Sequence, residues 1–231
     1  MATLAEALVQ TFLPATCQLC RRSLPLQGSR GGVCASCWQQ VHGFGNEWCP
    51  VCGAPDTALR PCLACREVPP PWFSAASYGS YEGRLKELIA LLKSSRRDEL
   101  AAPLAQLLET AWRRQSWPRP DHVVPVPIWW GRLLSRGFDQ SALLAQSLAK
   151  LLDVPFSNVL RRRRAARQVG KGRADRLRLP ANAFALRRPV SGKVLLVDDV
   201  LTTGATVAAC SRHLAAGGAD EVFVLTLART P

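Results

Sequence analysis

Apolar residues recur along this chain in two rhythms, and the change between them falls near residue 70. Before it, only Leu4, Leu8 and Phe12 fall at helical spacing, which predicts a short amphipathic helix ended by Pro14. Val68-Pro69-Pro70-Pro71 then forms a stiff connector. This divides the chain into residues 1–70 and residues 71–231. Beyond the connector, strand and helix patterns alternate. Ser74 to Tyr81 predicts a strand. Gly83 to Lys93 predicts a helix with Leu85, Leu88, Ile89 and Leu92 on one face, and Glu99 to Arg114 predicts another. Asp121 to Ile128 is expected as a buried strand. Asp139 is placed to cap a helix carrying Leu143, Leu144, Leu148 and Leu151, with a further short strand at Phe156 to Leu160. Lys193 to Asp198 is the clearest buried strand. A helix from Thr203 to Ala216 follows, closed by Gly217 and Gly218, and then a strand from Glu221 to Ala228. Such alternation implies an α/β fold with a doubly wound, mostly parallel sheet and a ligand site at the carboxyl ends of its strands.

Composition adds limits. With 48% apolar and 20% charged residues among 231, the chain is globular in type. No run approaches the roughly 18 apolar residues of a membrane span. The start, MATLAEALVQTFLP, lacks the basic region of a secretory signal, so a cytoplasmic protein without membrane insertion is expected. The net charge of +13 lies almost wholly beyond residue 70, a field that attracts nucleic acid and phosphorylated small molecules alike.

Eight of the nine cysteines fall in four pairs, Cys17/Cys20, Cys34/Cys37, Cys49/Cys52 and Cys62/Cys65. A two-residue gap lets two thiolates of one tight turn bind the same tetrahedral ion, so four pairs supply two four-cysteine sites for structural Zn2+. A disulfide framework is disfavoured without a secretory signal. Spacing alone leaves open whether neighbouring pairs share an ion or interleave.

The apolar run Val194 to Val197 ends in Asp198-Asp199, followed by Thr202-Thr203-Gly204-Ala205-Thr206. Hydroxyls, a glycine and free N–H groups at a helix start suit a phosphate dianion, and two carboxylates nearby suit vicinal sugar hydroxyls. No Walker lysine follows, so a sugar phosphate fits better than a nucleotide loop.

Val194 to Thr206 resembles the phosphoribosyl diphosphate motif of the type I phosphoribosyltransferases. The blocks Val124-Pro125-Val126-Pro127-Ile128 and Arg136-Gly137-Phe138-Asp139-Gln140, with Arg132 between them and the paired cysteines ahead, are similar to the competence-associated ComF family. That family joins a double zinc ribbon to a phosphoribosyltransferase domain. The resemblance implies that Asp198 and Asp199 hold the ribose hydroxyls and that Thr202, Thr203, Gly204, Ala205 and Thr206 wrap the 5′-phosphate. It also implies Mg2+ carried in with phosphoribosyl diphosphate. Pro127 and Ile128, with Arg132 and Arg136, would face the pyrophosphate. The segment Arg161 to Arg188 carries eleven basic residues and one acid. By resemblance it is a closing loop whose Gln168, Lys171, Arg173 and Arg176 reach the diphosphate, with Lys171 among the catalytic groups. Asp139 stands where the family usually has Asn. In related enzymes a variable hood selects the acceptor, and here the zinc part takes that place in the sequence, leaving the acceptor untraceable.

Two functions follow as expectations. One is a phosphoribosyltransferase-like protein acting in DNA uptake or nucleotide-related metabolism. The other is a non-catalytic, zinc-dependent competence factor that meets single-stranded DNA or a DNA-uptake helicase, with Trp38, Trp48 and Trp72 available to stack on bases.

Overall fold

The computed structural model describes residues 15–24, 29–45, 48–55, 60–94, 98–163 and 183–230, so the helix expected around Leu4, Leu8 and Phe12 lies outside it. In chain order the elements are α1 (Ala35–Trp38), α2 (Leu63–Glu67), β1 (Ser74–Ser80), α3 (Gly83–Ser94), a 3-10 turn (Asp98–Leu100) and α4 (Ala101–Arg113). Then come β2 (His122–Pro125), α5 (Trp130–Arg136), α6 (Gln140–Leu152), β3 (Leu160–Arg162), β4 (Phe184–Leu186), β5 (Gly192–Leu201), α7 (Ala205–Ala216) and β6 (Ala219–Arg229).

Four strands form a sheet in the order β1-β6-β5-β2, and each neighbouring pair is parallel. Both faces are covered, which is why Val194, Leu195, Leu196 and Val197 are all fully buried despite alternating in direction. Leu195 and Val197 join Phe223, Leu225 and Leu227 in one core with the apolar faces of α3, α4 and α6. Val194 and Leu196 join Val222 and Val224 in a second core with Val207, Cys210 and Leu214 of α7 and with Leu160 and Phe184 of the small β3/β4 ribbon. The expected parallel α/β architecture is therefore present.

Several boundaries differ from the periodicity, each for a local reason. β5 does not stop at Asp198. It stays paired with β6 through Asp198↔Thr226, Val200↔Ala228 and Leu201↔Arg229, so the two acids are strand residues. α7 begins at Ala205 because Gly204 takes φ +76°, a left-handed conformation that no helix continues. The strand expected at Phe156 to Leu160 is a single bridge from Phe156 to Val123, followed by β3, which pairs antiparallel with β4. The stretch after β2 holds the short helix α5, closed by Gly137 at φ +80°.

The cysteine-rich part packs along the open edge of β1. The Phe44 N–H donates to the Tyr78 carbonyl at 2.7 Å, occupying an edge acceptor that would otherwise invite another strand. Cys17, Val33, Cys34, Cys37, Trp38 and Val41 are continuous with the core of α3 and α4, so the two parts of the chain share apolar packing. Close approach here depends on small residues: a Cβ at Gly53, where φ is +67°, would lie 2.8 Å from the Ala75 carbonyl oxygen. Gly53→Ala is expected to lower the unfolding free energy by about 2 kcal/mol in urea titrations of the zinc-loaded protein. Gly45→Ala, whose Cβ meets nothing within 4 Å, should change it by less than about 0.5 kcal/mol.

Candidate functional site

The four cysteine pairs gather as neighbours. Cys17, Cys20, Cys34 and Cys37 form one cluster and Cys49, Cys52, Cys62 and Cys65 the other, with the sulfurs of each cluster within 4.8 Å of one another. Cys17–Cys37, Cys20–Cys34 and Cys52–Cys62 are separated by 3.9, 3.7 and 3.8 Å. A tetrahedral ion with metal–sulfur bonds of about 2.3 Å places its sulfurs about 3.8 Å apart, so both clusters fit zinc. The electrostatics agree. The Ser36 hydroxyl draws Cys34 down to about 6. At Cys49 burial is outweighed by the N–H groups of Cys62, Cys52 and Val51, which bring it to about 7. Burial and the neighbouring sulfurs push Cys37 up to about 12. Four thiolates in one cluster need a cation, and all four positions around it are protein, which makes these sites structural.

A separate cleft of about 370 Å³ opens at the carboxyl ends of the sheet strands. Its floor is Asp198 and Asp199 of β5, and Val126, Pro127 and Ile128 leave β2 to form one wall. Gln140 enters from the start of α6, Lys93 from the last turn of α3, Arg162 from β3 and Thr206 from the first turn of α7. Every described residue lining it comes from position 93 onward, so the zinc part does not wall it.

Alternation along β5 gives the two carboxylates different surroundings: Asp198 continues the register of Val194 and Leu196, Asp199 that of Leu195 and Val197. Asp199 is buried and accepts from Lys93 Nζ at 3.1 Å and Gln140 Nε2 at 3.3 Å. Asp198 Oδ1 accepts from the Ser141 hydroxyl and the Asp199 N–H, each at 2.9 Å. Burial first, and then the charge of Asp199, still push the Asp198 carboxyl up to about 7. The pair therefore holds less than two full charges at neutral pH, and donors or a cation in the cleft favour its full ionisation. Gln140 Oε1 is buried with no hydrogen-bond partner among the described residues.

Asp139 caps α6 as the sequence implied, accepting from Ala142 N at 3.0 Å, and it also accepts from Ile128 N at 3.4 Å. Its carboxyl is raised by burial, and it fastens the Pro127–Ile128 wall to the helix that carries Gln140 and Ser141. On the opposite side, Thr202 and Thr203 are exposed, Gly204 is buried, and Ala205 and Thr206 form the first turn of α7, whose leading N–H groups lack intrahelical partners. The Thr203 hydroxyl accepts from Ala205 N at 3.4 Å.

Of the other expected site residues, Arg132 and Arg136 have backbone in α5 but side chains outside the described structure, as are Gln168, Lys171, Arg173 and Arg176 altogether. Trp38 is buried and donates to the Arg30 carbonyl, and the Trp72 indole donates to the Val51 carbonyl at 2.8 Å. Both are packing residues in this structure. Lys93 and Ser141 carried no role in the sequence pattern, and Arg162 counted only as one basic residue of the expected closing loop Arg161 to Arg188, whose start is instead strand β3. Nothing local in the sequence marks Lys93, because its partner Asp199 lies far along the chain.

Residues 8–66 match the double zinc ribbon domain and residues 139–231 the phosphoribosyl transferase domain. The chain is 41% identical over 226 residues to DNA utilization protein YhgH of Salmonella typhi, spanning 94% of this chain and 98% of that protein. It is 31% identical over 232 residues to Competence protein F of Haemophilus influenzae, spanning 96% and 100%. To Competence protein ComFC of Bacillus subtilis it is 27% identical over 210 residues, spanning 86% and 84%. No helix of the described residues is long and apolar enough to cross a membrane.

The raised carboxyl sets a pH dependence. A carboxyl in the unfolded chain ionises near 4, whereas Asp198 ionises near 7 in the folded chain, so its share of stability is complete below about pH 4 and lost as pH rises through about 7. Asp198→Asn removes that loss. The variant is expected to gain about 4 kcal/mol over the parent by pH 8, with the difference shrinking toward pH 4, in unfolding titrations across that range.

Proposed function

The chain belongs to the ComF family of competence and DNA-utilization proteins, which combine a double zinc ribbon with a phosphoribosyltransferase domain, and from that premise we propose that its cleft binds phosphoribosyl diphosphate together with Mg2+. The observation carrying this is the presence of Asp198, Asp199 and Thr206 around one cleft, so that a carboxylate pair and an open helix start face the same space. The carboxylates accept from the ribose hydroxyls. The N–H groups from Gly204 to Thr206 and the hydroxyls of Thr202 and Thr203 receive the 5′-phosphate. Lys93 and Gln140 hold Asp199 in place before the ligand arrives.

Asp198 and Asp199 are the residues that would hold magnesium with the ligand; when bound, the ion neutralises charge on the diphosphate. Arg162, and by family resemblance Arg132, Arg136, Lys171, Arg173, Arg176 and Gln168, supply positive charge and donors to the same group. Displacement of pyrophosphate by a nucleophile would be helped by these cations as negative charge grows on the leaving group. Binding is the primary proposal and transfer to an acceptor the second step of it. The division into residues 1–70 and 71–231 and a cytoplasmic setting belong to the same proposal, since thiols that hold zinc must stay reduced. Asp198→Asn combined with Asp199→Asn is expected to abolish binding of phosphoribosyl diphosphate in calorimetry; unchanged affinity would exclude the assignment.

The names of the relatives favour a second role on the same protein, contact with single-stranded DNA or with a DNA-uptake helicase, and the net charge of +13 supports it. Single-stranded DNA retained in filter binding should be lost steeply as salt rises, with a log–log slope of about −0.7 per phosphate contacted. A slope near zero would count against the role.

A further inference from the structure

The second cysteine cluster stands behind the phosphate loop, and one tryptophan touches both. Cys49-Pro50-Val51-Cys52 is a tight turn whose backbone is held by the metal site, and three consecutive carbonyls of it accept hydrogen bonds from the sheet domain. Ser74 Oγ donates to Pro50, Trp72 Nε1 donates to Val51 at 2.8 Å, and Arg229 Nη1 donates to Cys52 at 2.7 Å. Two of these donors lead to the loop Thr202–Thr206. The Trp72 ring covers Gly204, whose absent Cβ would lie 3.1 Å from Cη2. Arg229 pairs in register with Leu201, the last residue before the loop, and the Thr230 N–H donates to the Leu201 carbonyl at 3.0 Å. Trp72 also packs against both the second cysteine cluster and the core beneath β5 and α7. The first cysteine cluster instead packs into the core of α3 and α4.

We propose that the zinc site of Cys49, Cys52, Cys62 and Cys65 is thermodynamically coupled to anion binding at Thr202–Thr206, with Trp72 as the positioning residue between them. Gly204 is buried at φ +76° beneath the Trp72 ring, and the hydrogen bond to the Val51 carbonyl sets the position of that ring. Metal in the second cluster thus orders the loop for a phosphate. By linkage a bound phosphate must retain that metal to the same degree. The first cluster has no such path among the contacts described.

This coupling rests on the assignment of the cleft to phosphoribosyl diphosphate. The test uses the full-length protein carrying two zinc ions, with phosphoribosyl diphosphate and magnesium as the probe. Trp72→Phe keeps an apolar ring and loses the N–H. It is expected to retain two zinc ions by metal analysis and to bind the probe about tenfold more weakly in calorimetry. Trp38→Phe, the same change beside the first cluster, should bind within twofold of the parent. In equilibrium competition with a chromogenic chelator, saturating probe should protect one of the two zinc ions in the parent, raising its apparent affinity about tenfold, and neither in Trp72→Phe. If Trp72→Phe does not fold with two zinc ions, protection of one zinc in the parent decides the question. A parent that binds the probe while neither zinc is protected overturns the coupling and leaves the ligand assignment standing. A parent that does not bind overturns both.

Discussion

Two adjacent carboxylates lie within a strand that is buried on both faces, and the surrounding elements meet there to make that tolerable. Burying a carboxylate without partners is costly, so each needs donors. The last turn of α3 brings Lys93, the start of α6 brings Gln140 and Ser141, and the backbone of Asp199 serves its neighbour. These come from elements far apart in sequence. The end of α3 and the start of α6 both lie at the cleft beside the carboxyl end of β5, which is what allows them to converge. The compensation is incomplete: Asp198 is still pushed up to about 7, and Gln140 keeps an oxygen with no partner among the described residues. Residual frustration of this kind is what the proposed ligand would relieve.

The zinc part solves a different problem. Residues 15–65 contain few large apolar side chains and cannot bury enough surface to fold by themselves, which metal binding offsets by on the order of 10 kcal/mol per site. Once folded, the part closes the open edge of β1 and completes the core of α3 and α4. It stays away from the cleft, among the described residues, although its place in the chain suggested a hood over the acceptor. Its second cluster lies instead against Trp72, which covers Gly204, so it backs the loop Thr202–Thr206 through that ring.

Much of this was legible in the sequence because the signals were local. Periodicity located the strands and helices of the sheet domain, the two-residue gaps announced the zinc sites, and Val194 to Thr206 identified the cleft. What escaped depends on distance in sequence. Whether Cys17/Cys20 joins Cys34/Cys37 or another pair is a question of fold, not spacing. Lys93 and Ser141 reach Asp199 and Asp198, and Arg162 lines the same cleft, only because the fold brings α3, α6 and the β3/β4 ribbon together there. β5 was expected to end at the acids because a charge pair normally ends a buried run. The ladder to Thr226 and Ala228 overrides that preference, since backbone pairing with β6 continues whatever the side chains are.

That extension of β5 bears on how the site works. Were the strand to end at Asp198, the acids would share a loop with Thr202 to Thr206 and move with it. Held in the ladder through Leu201, they are fixed to the sheet, and only the three residues from Thr202 to Gly204 separate that frame from the first turn of α7. The sugar end of a ligand would then meet a rigid acceptor pair. The phosphate end would meet a short segment whose conformation turns on Gly204 and on what covers it. Rigidity at one end and adjustability at the other is the arrangement that lets a distant element influence affinity without disturbing the carboxylates, because the sheet isolates one from the other.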